Sequence, residues 1–377
     1  MHIICTQENL KKAILCVERV TTKNSTLPIL ENMLVEIHEN LLKFSATNLE
    51  IGVTTSIGAK IDGQGSVALP VKVFSDFVKN LPSGGQIELS MDNLTVTVES
   101  GVYSAVFKGC DAQEFPIIPQ PKNEIVRIVF SAQEFKEAIR KVMMSVSVNA
   151  ARIEFTGICF IFRENGVFAV STDSFRLSEV FFFCTYTGLF SEVEPVIIPQ
   201  HTIAELVKLM DFGSENVTMV VEENQVFFIL ENNIFMVSRL INGKFPDYKQ
   251  IIPNDFSTKI VVSKTEIQRS VKMAEIFSPS KALEVFLDVL NEEGKIKFYS
   301  ESSQSGINTS YVSGSIEGDK QNVVLNPKYI LDFLSIINSE NVYIGMNSSS
   351  SPVVFREIDA SSKVDNGYQY ILMPIKK

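Results

Sequence analysis

One pattern, written three times, constrains this chain more than anything else in it. Near the start of each third a short apolar run meets a Ser or Thr and passes into a helical spacing of apolar and small residues. The copies are Ile3-Ile4-Cys5-Thr6 before Leu10, Ala13 and Ile14, Ile128-Val129-Phe130-Ser131 before Phe135, Ala138 and Ile139, and Ile260-Val261-Val262-Ser263 before Ile267, Ser270 and Val271. Counted from the hydroxyl residue, these positions fall at plus four, plus seven and plus eight each time. A second element keeps step: Leu69-Pro70 leads to Phe74, Asp76 and Phe77, Ile198-Pro199 to Ile203, Glu205 and Leu206, and Leu325-Asn326 to Ile330, Asp332 and Phe333. The first element recurs after 125 and 132 residues and the second after 129 and 127, which is the length of a domain.

Between the helical stretches the sequence alternates as strands do. Gln86-Ile87-Glu88-Leu89-Ser90 and Leu94-Thr95-Val96-Thr97-Val98 flank Asp92-Asn93, and Thr218 to Val221 and Val226 to Leu230 repeat that hairpin one third later. Each third therefore reads strand, helix, strands, helix, strands. The expected class is α+β, three tandem domains with two helices packed on antiparallel sheets in each, over residues 1–124, 125–255 and 256–377. Helix starts are signalled by the capping boxes Ser131-x-x-Glu134 and Ser263-x-x-Glu266 and by Asn326 before Pro327. The joints follow comparable exits, Phe115-Pro116-Ile117-Ile118-Pro119-Gln120-Pro121 and Phe245-Pro246-Asp247-Tyr248 through Pro253. The serine run Ser348 to Ser351 reads as a loop, because a strand pattern resumes at Val353.

Composition removes several classes of function. With 45% apolar and 21% charged residues and no apolar run of membrane-spanning length, the expectation is a soluble protein without a membrane partner. Val180-Phe181-Phe182-Phe183-Cys184 reads as a buried strand. The opening Met1-His2-Ile3-Ile4-Cys5 enters a strand pattern with no signal-peptide features, which predicts a cytoplasmic location. The five cysteines are scattered and form no C-x-x-C pair, so buried thiols are expected in place of disulfides or zinc ligands. His2, His38 and His201 have no metal-ligand spacing; neither a metal nor a cofactor is expected.

A formal charge of −10 argues against a nucleic-acid partner until the charges are placed. The six helical stretches together carry +4, which leaves −14 on the rest. Opposite the apolar stripe of the first helix stand Lys12, Arg19 and Lys23, and the second repeat has Lys136 and Arg140. Two residues beyond the Pro or Asn of the second element stand Lys72, His201 and Lys328. Scattered Lys and Arg hold duplex DNA by its phosphates, and such contacts carry no sequence information. Packed helices lie about 9 Å apart, so six around a hole give a diameter of about 17 Å, too narrow for a duplex, whereas twelve give about 34 Å. If the chain makes a ring, two copies close it.

Longer stretches then carry a resemblance. Thr26-Leu27-Pro28-Ile29-Leu30, Ala46-Thr47-Asn48-Leu49-Glu50, Thr172-Asp173-Ser174-Phe175-Arg176-Leu177, Gly243-Lys244-Phe245-Pro246-Asp247-Tyr248 and Tyr370-Ile371-Leu372-Met373-Pro374-Ile375, in this order and spacing, resemble the bacterial DNA polymerase III beta subunit, the beta sliding clamp family. The resemblance covers essentially the whole chain. It implies a head-to-tail homodimeric ring, helices lining the pore and sheet outside, that encircles duplex DNA without sequence specificity. Such a ring is the non-catalytic processivity factor of the replicative DNA polymerase; it tethers replicative and repair polymerases and is opened by a clamp loader.

The resemblance also implies sites. A partner's peptide, rich in Gln, Leu and Phe, would enter a hydrophobic cleft between the second and third domains. Its wall would be Phe155, Thr172, Ser174, Phe175, Arg176 and Leu177, with Pro246 and Ile251 from the second joint and Ile371, Leu372, Met373, Pro374 and Ile375 from the chain's end. Ser174-Phe175 stands where the family often has Gly-His, Gln250 where it is often basic, and Lys376-Lys377 where it often closes on an apolar residue. For DNA the family pattern adds Asn24 beside Lys23, and Asn149 and Arg152. For ring closure it points to Ile276 and Phe277 facing a strand that carries Tyr103, Ala105 and Phe107.

Two other readings compete. An enzyme would start from Ser171, Thr172, Asp173 and Arg176 with His201 as base, but the serine has no elbow motif and His201 lies where the repeat places Lys72 and Lys328. A β-rich scaffold that never meets nucleic acid is the alternative; the charge division between helices and sheet argues against it.

Overall fold

The computed structural model describes residues 2–21, 27–188, 190–278, 283–303, 305–359 and 363–376. Within these lie six α-helices: α1 (Gln7–Glu18), α2 (Val71–Asn80), α3 (Ala132–Met143), α4 (Gln200–Met210), α5 (Lys264–Phe277) and α6 (Pro327–Ile336). They are the six that the repeat places. The repeat is also visible as a recurring hydrogen bond in which the first residue of each odd-numbered helix donates its N–H to the loop beyond the following helix. Gln7 N reaches Gly85 O at 3.0 Å, Ala132 N reaches Glu215 O at 2.8 Å and Lys264 N reaches Glu340 O at 2.8 Å.

Helix ends depart from the sequence reading in two places. The first helix stops at Glu18, and Thr21 closes its last turn by bonding Glu18 O at 2.8 Å, so the basic run toward Lys23 is not helical as far as it is described. Asn326 caps α6 through Lys328 N at 3.0 Å and Thr6 caps α1 through Asn9 N at 3.3 Å, whereas Ser263 makes no side-chain cap bond. Residue type at the cap is permissive; the side chain's rotamer decides whether the bond forms.

The chain forms two compact units that do not coincide with the three repeats. The first comprises Met1–Glu134, Cys184–Val193 and Ile198–Ile241, and the second Phe135–Phe183, Glu194–Ile197 and Asn242–Lys377. The middle repeat is shared between them.

In the first unit a five-stranded sheet runs in the order Lys60–Asp62, His2–Thr6, Gln86–Asp92, Thr95–Ser100, Tyr103–Lys108. A nine-stranded sheet crosses from the second repeat into the first where Ile234–Arg239 pairs with Ile51–Gly58, Ser238 opposite Ile51. Helices α1 and α2 pack together, with Glu18 accepting from Ser75 Oγ at 2.8 Å and Lys79 Nζ at 2.6 Å, and Gln7 Nε2 donating to Val78 O at 3.1 Å. Under them Leu10, Ala13, Ile14, Val17, Phe74 and Val78 are buried, the apolar stripe of the repeat.

In the second unit a twelve-stranded sheet passes from the second repeat into the third where Arg176–Phe183 pairs with Tyr368–Leu372, Leu177 opposite Ile371. Phe135 of α3 stands edge-on to Phe182, and Phe333 of α6 stacks on Tyr370 with ring centres 5.3 Å apart. The run Val180–Cys184 is not uniformly buried: Val180 and Phe182 point into the core, while Phe183 is exposed beyond the last pairing with Tyr368–Leu372. Of the cysteines, Cys5, Cys16 and Cys159 are buried as expected, but Cys110 is exposed and Cys184 half-buried. No described helix is long and apolar enough to cross a membrane.

Candidate functional site

The segment Thr172–Leu177 is a turn held by its own side chains. Thr172 Oγ1 donates to Arg176 O at 2.7 Å and accepts from Ser174 N at 3.1 Å, while Asp173 Oδ1 accepts from Phe175 N and Arg176 N, both at 2.9 Å. This network keeps Ser174 at φ 78°, a conformation that costs a non-glycine residue about 1 kcal/mol. Ser174 therefore holds a backbone conformation that a glycine would adopt at lower cost, and the hydrogen bonds of the turn compel it. Phe175 is thrown outward to the rim of the turn, 63% exposed.

Arg176 turns back from the rim. Its Nε reaches Asp173 Oδ2 at 3.0 Å, its Nη1 reaches Asp332 Oδ2 at 2.6 Å, and the guanidinium lies 4.3 Å from the Tyr329 ring centre. Burial alone would lower its pKa, but Tyr370, Asp332 and Asp173 reverse that and raise it, so the cation is fixed. Neither Asp332 nor Tyr329 was singled out for this site from sequence. The signal for Asp332 was present, since it is the acidic residue that the second repeated element carries at plus six.

The chain's end completes the site. Met373 N donates to Phe175 O at 2.9 Å and Ile375 N to Val324 O at 2.8 Å, which lays the tail beside the turn. Met373, Pro374 and Ile375 are half-buried, Pro246 is exposed and Ile251 is 43% exposed, so these five offer apolar surface. Phe155, Thr172, Leu177, Ile371 and Leu372 are instead buried. Beyond the tail lies a cavity of about 500 Å³ lined by Phe286, Tyr299, Ser349, Ile375 and Lys376 among others.

The first unit contains the same turn. Thr47 Oγ1 donates to Ile51 O at 2.8 Å and accepts from Leu49 N at 3.0 Å, Asn48 Oδ1 accepts from Glu50 N at 3.0 Å and Ile51 N at 2.7 Å, and Leu49 has φ 72°. Arg239 N donates to Glu50 O at 3.0 Å, as Met373 does to Phe175. The copy is closed, however. Gly52 takes the place of Leu177, and Ile118 from the first joint lies so near that a Cβ on Gly52 would stand 3.1 Å from it. What remains is a cavity of about 140 Å³.

Placement of the candidate DNA contacts is mixed. Arg19, Lys72 and Lys328 are exposed and form no ion pair among the described residues; Lys12 and Lys136 are half-buried. Arg140 is exposed and reaches Ser335 O at 3.4 Å. His201 lies 3.2 Å from Glu50, and Arg152 bonds Glu154 at 3.0 Å while covering the Phe155 ring, so both are partly committed to their own unit. Asn149 is exposed, and its Oδ1 accepts from Ala151 N at 2.9 Å. Lys23 and Asn24 lie outside the described residues.

For ring closure, Tyr103 and Ile276 are exposed, whereas Phe107 is buried against Phe74 with ring centres 4.9 Å apart and belongs to its own core. Ala105 and Phe277 are half-buried. The enzyme reading loses its nucleophile, because Ser171 is fully buried and donates to Val142 O.

Comparison with known proteins agrees with this arrangement. Profiles of the DNA polymerase III beta subunit match in order, the N-terminal domain over residues 1–119, the central domain over 130–247 and the C-terminal domain over 249–376. The beta sliding clamp of Bacillus subtilis (strain 168) is 26% identical over 94% of this chain and 96% of its own, and that of Synechocystis is 25% identical over 100% and 99%. Among solved structures, the Bacillus subtilis DNA polymerase sliding clamp superposes with a TM-score of 0.91 at 25% identity, covering 100% of this chain and 99% of that one. The beta subunit from Thermotoga maritima does so with 0.88 at 26%, covering 100% and 99%. With all three domain profiles matched in order and relatives aligned from end to end, the chain belongs to the DNA polymerase III beta subunit family, the bacterial beta sliding clamps.

Proposed function

We propose that this chain is a DNA sliding clamp that closes as a head-to-tail homodimer around duplex DNA and serves as processivity factor of the replicative polymerase. The observation that carries the reading is a count of sheet edges. Two joints between repeats are made within the chain, Ile234–Arg239 on Ile51–Gly58 and Tyr368–Leu372 on Arg176–Phe183. By repeat position the third pair is Tyr103–Lys108 and the first part of Gly306–Gly318. The strand Tyr103–Lys108 ends its sheet, and residues 306–313 pair with Lys295–Ser302 on one side only, among the described residues. An open edge with exposed Val106, Ile307 and Tyr311 is an aggregation hazard unless another chain covers it. A second copy supplies the matching edge at each end, and two heterologous contacts close.

In this reading Lys12, Arg19, Lys23, Asn24, Lys72, Lys136, Arg140, Asn149, Arg152, His201 and Lys328 meet phosphates. Long, weakly committed cations on an acidic protein hold a duplex without stopping on it. The joints between domains lie near residues 124 and 256. The apolar surface of Pro246, Ile251, Met373, Pro374 and Ile375 receives peptides of polymerases, repair proteins and the clamp loader, and Phe175 and Gln250 adjust which peptides fit. The activity is tethering in the cytoplasm; no bond is made or broken. Loaded onto circular DNA, the protein is expected to stay bound and to be lost when the DNA is cut. A stable monomer at micromolar concentration, with equal retention on circular and linear DNA, would overturn the proposal.

A further inference from the structure

Behind the cleft lies a carboxylate that the sheet itself does not require. Glu179, on Arg176–Phe183, is only 4% exposed. Its Oε2 accepts from the Tyr248 hydroxyl and from Lys249 Nζ at 2.6 Å, and its Oε1 accepts from Gln369 Nε2 at 2.6 Å. Gln369 stands directly opposite Glu179 in the sheet and takes a bond from Arg356 at 3.1 Å. Lys249 Nζ also lies 4.8 Å from the Phe168 ring centre. Tyr248 is itself buried, and burial together with Glu179 raises its pKa, so the phenol stays a donor.

Burying a carboxylate is costly, and these donors offset that cost. A sheet joint alone does not call for it: two residues past the matching turn in the first unit, where Glu179 stands in the second, is Thr54, opposite Phe235. The charge occurs where the cleft is. Its partners belong to the two walls, Tyr248 and Lys249 to the joint segment that carries Pro246 and Ile251, and Gln369 to the strand that continues into Met373, Pro374 and Ile375.

We infer that Glu179 is a positioning residue of the partner cleft: one buried carboxylate ties the joint segment to the C-terminal strand and sets the gap that a partner peptide must fit. This rests on the proposed role of the cleft. Without the carboxylate, the Tyr248 hydroxyl and the Lys249 ammonium lose the acceptor they share with Gln369, the segment through Ile251 is no longer tied to the tail, and a peptide must order it on binding.

The test measures two quantities on the full-length protein, its thermal midpoint and its affinity for a fluorescein-labelled pentapeptide of Gln, Leu and Phe residues. In Glu179→Val the midpoint is expected to fall, because the Tyr248 hydroxyl, the Lys249 ammonium and the Gln369 amide lose their shared acceptor, and the peptide dissociation constant is expected to rise about tenfold. Ile296→Ala, a core deletion away from these residues, is expected to lower the midpoint and leave the dissociation constant within twofold, which separates positioning from general destabilisation. Tyr248→Phe, which removes only a hydroxyl, is expected to weaken the peptide several-fold, and Glu179→Val with Tyr248→Phe no further than Glu179→Val alone. If the native protein binds and Glu179→Val and Tyr248→Phe both bind within twofold of it, the positioning role is refuted. If the native protein does not bind the peptide, the cleft reading is what fails.

Discussion

The duplicated turn allows the hydrogen bonds of Thr172–Leu177 to be measured against an internal control. In Asp173→Ala, the amides of Phe175 and Arg176 lose the acceptor they reach at 2.9 Å, and Arg176 loses one of its two carboxylates. Bonds to a charged acceptor are worth about 1.5–3 kcal/mol when shielded. The Phe175 amide is at the surface and rehydrates, so we assign it about 1 kcal/mol and the half-shielded Arg176 amide about 1.5 kcal/mol. The lost ion pair adds roughly 0.5 kcal/mol, discounted because Asp332 remains and both acids touch solvent. The total of about 3 kcal/mol raises local opening by about 100-fold. Asp173→Asn keeps the Oδ1 acceptor and sets an amide against Arg176, which costs about 1 kcal/mol and gives roughly fivefold faster opening. Asn48→Ala in the first unit removes two neutral bonds and no ion pair; about 2 kcal/mol, or roughly 30-fold, is expected there. Hydrogen exchange of Phe175, Arg176, Glu50 and Ile51 reads all three variants site by site. Equal acceleration in Asn48→Ala and Asp173→Ala would show that the charge contributes nothing. Acceleration below threefold in both would show that the side-chain acceptors do not hold the turns.

Further outcomes follow from exposure and burial. Ile276 is 67% exposed on α5; if it is covered in the ring, Ile276→Asp should cost about 3 kcal/mol per joint from lost apolar burial and a stranded charge. A two-chain ring contains the joint twice, so sedimentation velocity should find the dimer constant weakened by roughly 10⁴, and an unchanged constant would exclude Ile276 from the interface. Burial pushes the thiols of Cys5, Cys16 and Cys159 up from 9.0 to about 12. Because the folded-state pKa is the higher, their contribution is complete below about pH 9 and is lost as pH rises toward 12, by up to about 1.4 kcal/mol per pH unit for each thiol. Stability measured between pH 9 and 11 should fall less steeply in Cys159→Ala than in the native protein; parallel curves would refute the assignment.

What the sequence determined by itself is the threefold repeat, its six helices and the stripe each helix buries, because these rest on spacings of three, four and seven residues within one element. The hairpins around Asp92-Asn93 and Glu222-Glu223-Asn224-Gln225 were legible for the same local reason. Tertiary structure decided everything that depends on which distant strands meet. It divided the middle repeat between two compact units, set Leu177 opposite Ile371 and Ser238 opposite Ile51, and left Tyr103–Lys108 and residues 306–313 without a second neighbour among the described residues. It also separated buried from open residues among the candidates for the proposed cleft: Leu177, Ile371 and Met373 look equally apolar in the sequence, yet only Met373 is left partly open. Gly52 closing one copy of the turn through Ile118, and Glu179 finding Tyr248, Lys249 and Gln369, required side chains far apart in sequence to arrive at one place. Local periodicity fixes a face. It carries no information about which other face that one will cover, since strand pairing across a hundred residues is chosen by the packing of the whole.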